Sequence, residues 1–118
     1  MLNKVEILSA KNDCSDFSFG KYEILQINTT NCGDKGISVG EKSDLKIGKS
    51  FIDKSNIGVA VKDSSYTKIQ SSKQINTNTC FAAYRKKQEF VGGYLKVKKT
   101  NCNKDSYVEQ IGSKIYFN

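Results

Sequence analysis

Apolar and polar residues alternate at a period of two in four short stretches: Asp16-Phe17-Ser18-Phe19, Gly36-Ile37-Ser38-Val39, Gly58-Val59-Ala60-Val61 and Phe81-Ala82-Ala83-Tyr84. Period two is the signature of a strand with one side buried and one side wet. It sets Phe17, Ile37, Val59 and Ala82 on one face, with Phe19, Val39, Val61 and Tyr84 two positions on. Helical periodicity is not sustained in any long window, so the pattern predicts an all-β chain. Between these stretches a second motif recurs: Ile27 to Cys32, Ile52 to Ile57, Ile75 to Cys80 and Val97 to Cys102. In each, a β-branched residue stands five positions before a Cys or Ile, and the copies lie 25, 23 and 22 residues apart.

A repeat of that length admits two main solenoids. Leucine-rich repeats need a dense leucine pattern, and only Leu2, Leu8, Leu25, Leu45 and Leu95 are present. A parallel β-helix fits: short strands per turn, Gly, Asn and Ser at the corners, and like residues stacked inside at about 4.8 Å per rung. The prediction is one domain over residues 1–118, a single-stranded solenoid of about five rungs. Its interior column would hold Cys32, Ile57, Cys80 and Cys102, with Asn31, Asn56 and Asn101 at the corner beside it. An opening strand is expected around Val5, Ile7 and Leu8, and a closing segment around Tyr107, Ile111, Ile115 and Phe117. Solenoid ends expose strand edges, so the chain also reads as the terminal segment of a longer solenoid.

Aligned in this way, residues 12 to 118 resemble the right-handed parallel β-helix, pectate-lyase-like superfamily. The stretches from Gly36 to Ser43 and from Ala82 to Phe90 are similar to those of bacterial β-helix repeat proteins without assigned activity. The resemblance implies a right-handed winding and a place in a surface or secreted polypeptide.

Composition narrows the function. Hydrophobic content of 37% suits a globular chain. No apolar run approaches the roughly 20 residues that span a bilayer, and the first residues do not form the apolar core of a signal peptide. Net charge is +7, nearly all from lysine, with Arg85 the single arginine. Because the lysines are spread along the chain, they read as a solvated surface rather than a specific nucleic-acid site. Without Cys-x-x-Cys or histidine, a structural zinc site is not expected. The four cysteines admit two readings. The first is a column of buried thiols; the second is a pair of disulfides between adjacent rungs, Cys14–Cys32 and Cys80–Cys102.

The missing histidine also excludes Ser-His-Asp and Cys-His catalysis, and no catalytic residue is assigned. Stacking the rungs would align Gly40, Lys62 and Arg85 in one outer column, then Glu41, Asp63 and Lys86, then Lys42, Ser64 and Lys87. Lyases of the resembled superfamily hold calcium with acidic residues, and Glu41 and Asp63 are the pair that could share Ca2+. Lys86 at the end of their column argues for a solvated charge ladder instead. Arg85, Lys86, Lys87, Phe90 and Tyr94 gather basic and aromatic groups in one rung and its loop, a set suited to an anionic polysaccharide. The function expected is a non-catalytic structural or adhesive module, with a carbohydrate-binding segment of a polysaccharide lyase or glycosidase-like β-helix protein as the alternative.

Overall fold

The computed structural model describes residues 2–117. It is an all-β parallel solenoid of about five turns, with 73% of residues in strands. The strands are β1 (Leu2–Ile7), β2 (Ser15–Thr30), β3 (Lys35–Lys62), β4 (Tyr66–Tyr84), β5 (Tyr94–Thr100), β6 (Tyr107–Glu109) and β7 (Lys114–Phe117). A three-residue 3-10 turn, Lys104–Ser106, leads into β6. Each strand pairs in parallel with the next turn: β1 to β2, β2 to β3, β3 to β4, then β4 to β5 and β6, and β5 to β7. The long strands bend around corners, so each turn contributes three walls. Wall I contains residues 15–18, 36–40, 58–62, 80–84 and 107–109; wall II contains 20–24, 43–47, 66–69, 94–97 and 114–117. Wall III contains residues 2–7, 26–30, 49–53, 71–75 and 99–100.

The corners are built from left-handed residues, which turn the chain without breaking the ladder. Between walls I and II these are Phe19, Glu41, Lys42, Asp63 and Ser64; between walls III and I they are Asn31, Lys54 and Asn76. Asparagine and aspartate tolerate this region because their short side chains bond locally. Between walls II and III the turn is so tight that a Cβ at Gly48 would meet the Leu25 carbonyl oxygen at 2.5 Å. Polar ladders then join successive corners. Asn78 Nδ2 donates to Asn56 Oδ1 at 3.2 Å, and Asn56 Nδ2 donates to Asp34 Oδ1 at 3.3 Å.

The true period is 22, as in Asp44↔Tyr66 and Phe51↔Lys73. Two insertions disturb it. A register shift between Ser18 and Gly20 makes the second pairing 23, as in Gly20↔Ser43. The loop before β5 adds six more, so that Tyr66 pairs with Tyr94. Inward columns follow this grid: Ile24, Ile47, Ile69, Val97 and Phe117 on wall II, and Ser15, Ile37, Val59, Phe81 and Tyr107 on wall I. Phe81 is fully buried, with its ring centroid 5.5 Å from Tyr107 and 6.0 Å from Phe117. Wall III is more polar inside, where Ser50 Oγ donates to Ser72 Oγ at 2.8 Å and Gln74 Nε2 donates to the Cys80 carbonyl at 3.1 Å.

The repeat drawn from the sequence alone does not survive this register. Ile27 pairs with Ser50, Ile52 with Thr29 and Gln74, Ile75 with Asp53, and Val97 with Ile69. Cys32, Ile57, Cys80 and Cys102 therefore do not share one column: Cys32 stands against Ala10, and Ile57 against Thr79. Disulfides join Cys14 to Cys32 and Cys80 to Cys102, so the reading of buried free thiols is corrected. The three asparagines also part company. Asn31 takes the left-handed corner, and Asn56 belongs to the exposed ladder with Asp34 and Asn78. Asn101 uses its amide as a substitute strand: the Gln74 N–H donates to Asn101 Oδ1 at 2.9 Å and Asn101 Nδ2 donates to the Gln74 carbonyl at 2.8 Å.

Candidate functional site

Wall I turns Ile37, Val39, Val59 and Val61 inward, so Ser38, Ala60 and Ala82 between them face out. Yet these three are only 1%, 0% and 3% exposed. Small side chains leave room above the sheet, and longer ones fill it. Lys62 lies down over Gly40, where a Cβ would meet its Cε at 3.1 Å, and its ammonium donates to Ser38 Oγ at 2.9 Å. Lys35 crosses from the other edge, 2.8 Å from Asp34 Oδ2 and 3.8 Å from Asp13 Oδ1. Between them a polar cleft of about 200 Å3 remains, with Asp16, Ser18, Lys86 and Lys87 also on its lining.

Asp63 closes the cleft at the corner of walls I and II. Its side chain is fully buried. Oδ1 accepts the backbone N–H of Lys86 at 2.7 Å and of Lys87 at 3.0 Å, which fixes the start of the loop after β4. Oδ2 is buried and has no hydrogen-bond partner among the described residues. A buried carboxylate oxygen without a donor is costly. Beside it, Lys87 Nζ pairs with Glu41 at 2.9 Å.

The electrostatics follow from this crowding. Burial, then repulsion from Lys35, holds the Lys62 amine below its ordinary range, with Asp16 opposing. Burial pushes the Tyr84 phenol up. The hydrogen bond from Lys35 lowers the Asp34 carboxyl against a desolvation that works the other way. For Lys35, burial opposes the charge, but Asp34, Tyr84 and Asp13 together outweigh it and the amine is raised.

Of the residues expected to bind, the structure divides the set. Lys86 and Lys87 line the cleft, whereas Arg85 and Tyr94 line a separate hollow with Val91 and Ile111 near the last turn. Phe90 lies on neither lining and sits under Lys42, whose Nζ is 6.0 Å from the ring centroid. Glu41 and Asp63 do fall on adjacent turns of one corner, but Glu41 is engaged by Lys87 and Asp63 Oδ1 by two backbone donors. Among the described residues no group of three acidic, Cys or His side chains is placed to hold a metal ion. Asp16, Lys35 and Lys62 were not singled out as site residues by sequence. Tyr84 had been set in line with inward Val61; the register pairs it with Lys62, and Ala83 takes the place beside Val61.

No protein family, curated protein or solved structure matches the chain.

Proposed function

We propose that the chain is a non-catalytic structural or adhesive β-helix module of a surface or secreted protein. One observation carries this reading: all four cysteines are paired, one disulfide near each end of the solenoid. Disulfides persist in oxidising compartments and are rare in reducing ones. Their placement suits a structural module, because in a solenoid each turn is held only by its neighbours. The winding in this reading is right-handed, as parallel crossovers almost always are, and the module belongs with the bacterial, pectate-lyase-like β-helices it resembles. The test is the mass of the protein isolated from its source without reductant. The expected mass is four hydrogens below the fully reduced value, with no uptake of a thiol alkylating agent; alkylation at any of the four cysteines would sink the reading.

A second reading, a carbohydrate-binding segment, is favoured by the roofed polar cleft on wall I, where hydrogen-bonding groups converge over a floor of small residues. Binding of a plain polysaccharide panel by the whole chain tests it.

A further inference from the structure

We propose that the wall I cleft binds one neutral, hydroxyl-rich sugar residue, with Asp63 Oδ2 accepting and Lys62 Nζ donating hydrogen bonds to adjacent hydroxyls. The inference rests on the carbohydrate-binding reading and names the site and the ligand class.

Charge excludes the simpler ligands. The lining carries four carboxylates, Asp13, Asp16, Glu41 and Asp63, so an anionic group entering it meets repulsion that partial burial strengthens. It also carries four lysines, Lys35, Lys62, Lys86 and Lys87, which disfavour a cation equally. A hydroxyl group is both donor and acceptor, and it satisfies both kinds of partner without bringing a charge.

Three features mark the cleft as built to receive such a group. Asp63 Oδ2 is buried and lacks a donor, while its sister oxygen is fully used by backbone. Lys62 is half-buried, with Ser38 Oγ as its one hydrogen-bond partner and no ion pair among the described residues, so N–H donors remain free on a fixed stem. Phe19 is not itself on the lining but follows the lining residue Ser18 in the chain, opposite the Glu41–Lys42 corner in register. It is 63% exposed at a φ of 51°, a conformation unfavourable for a bulky residue. An exposed aromatic one residue from the lining is a candidate partner for the apolar C–H face of a sugar ring, and about 200 Å3 accommodates one ring.

The experiment is a glycan array probed with the full chain. It carries gluco-, manno- and galacto-oligosaccharides beside uronate and sulfated glycans, read at low salt and at about 1 M, where the Debye length falls to about 3 Å. The affinity of the best neutral oligosaccharide is then titrated calorimetrically against two variants. Asp63→Asn keeps Oδ1 for the Lys86 and Lys87 amides and replaces the second acceptor by a neutral NH2 donor. Lys62→Met keeps the stem over Gly40 and removes the donors. The expected result is binding to neutral glycans that persists at high salt and weakens about tenfold or more in each variant, with melting temperatures unchanged. Retention of acidic glycans alone, lost at high salt, would overturn the neutral-sugar assignment and leave carbohydrate binding at the basic loop. Unchanged affinity for the neutral oligosaccharide in Asp63→Asn would overturn the site. No retention of any glycan would overturn both this inference and the reading beneath it.

Discussion

Replacing Cys80 and Cys102 together by serine puts a number on the disulfide clamp. The bridge closes a segment with a sequence separation of 22. In the chain-entropy treatment, releasing a loop of that length returns about 3.4 kcal/mol of freedom to the unfolded chain at 25 °C. For 118 residues the unfolding entropy near the midpoint is about 0.25 kcal/mol per degree. The melting temperature should therefore fall by about 14 °C. The Cys14–Cys32 bridge, with a separation of 18, corresponds to about 3.2 kcal/mol and about 13 °C. The two bridges lie about two turns apart, roughly 10 Å at the interstrand spacing, so their effects should add. Together they approach the whole stability of an ordinary domain, about 5–15 kcal/mol, and the doubly reduced protein should be close to unfolding at 37 °C. The assay is calorimetry of the wild type and the three serine variants at matched pH, with far-ultraviolet circular dichroism to confirm one cooperative transition. A drop below about 5 °C for the Cys80/Cys102 pair would refute the argument, because the unfolded chain would then gain almost none of the predicted freedom.

Three further outcomes follow from particular contacts. Phe81→Ala empties a fully buried ring site between Tyr107 and Phe117 and should cost about 3–5 kcal/mol, read as a lower urea midpoint with unchanged slope. Asn101→Ala removes both bonds to the Gln74 backbone and should cost about 1–3 kcal/mol, with faster hydrogen exchange at the Gln74 amide. Tyr84 should ionise above the ordinary tyrosine range in an absorbance titration, and Tyr84→Phe should remove one late-ionising phenol, leaving that of Tyr107, which burial also raises. The sign of the linked stability is set by the raised folded pKa. The contribution is complete below the ordinary tyrosine range and is lost as pH rises through the folded value, so Tyr84→Phe should flatten the alkaline loss of stability.

Sequence carried the fold well and the site poorly, for one physical reason. Alternation at Ile37–Val39 and Val59–Val61 needs only local periodicity, and those residues are indeed core. Columns need register, and register is set by how many residues each corner consumes. The extra residue at the Ser18–Gly20 shift and the longer loop before β5 carry no local signal that marks them as insertions. Matching Ile27 to Ile52 absorbed the first insertion as if it were part of the repeat, and matching Ile75 to Val97 passed over the second, which sets Val97 beside Ile69. A slip of one residue exchanges the two faces of a strand, and it moved Tyr84 from the column of Lys62 to that of Val61. The cleft depends on such a column, Gly40 beneath Lys62, and on a cover of long side chains over small ones that no single turn reveals. Gly40 and Lys62 were aligned from the sequence, but without the neighbouring Ser38 the lysine had no visible anchor. The disulfide pairs were legible as an alternative because the repeat set each pair on adjacent turns, although the loop before β5 lengthens the turn that holds Cys80 and Cys102, where Phe81 pairs with Tyr107.

The register, with 20 to 28 residues between partners on adjacent turns, has a kinetic consequence. Every pairing between turns spans nearly the same sequence distance, so the mean separation of contacts is about one fifth of the chain, in the range of slow, millisecond-to-second β folders. No pairing, however, must wait for a distant one. Once two adjacent turns have closed, each further turn joins an existing edge at about the same entropic cost. The third and fourth turns hold Ile47, Ile69 and Phe81, all buried, and are the natural seed. Assembly should then run outward as a zipper in both directions, with β1 and β7 the last strands to arrive and the first to leave.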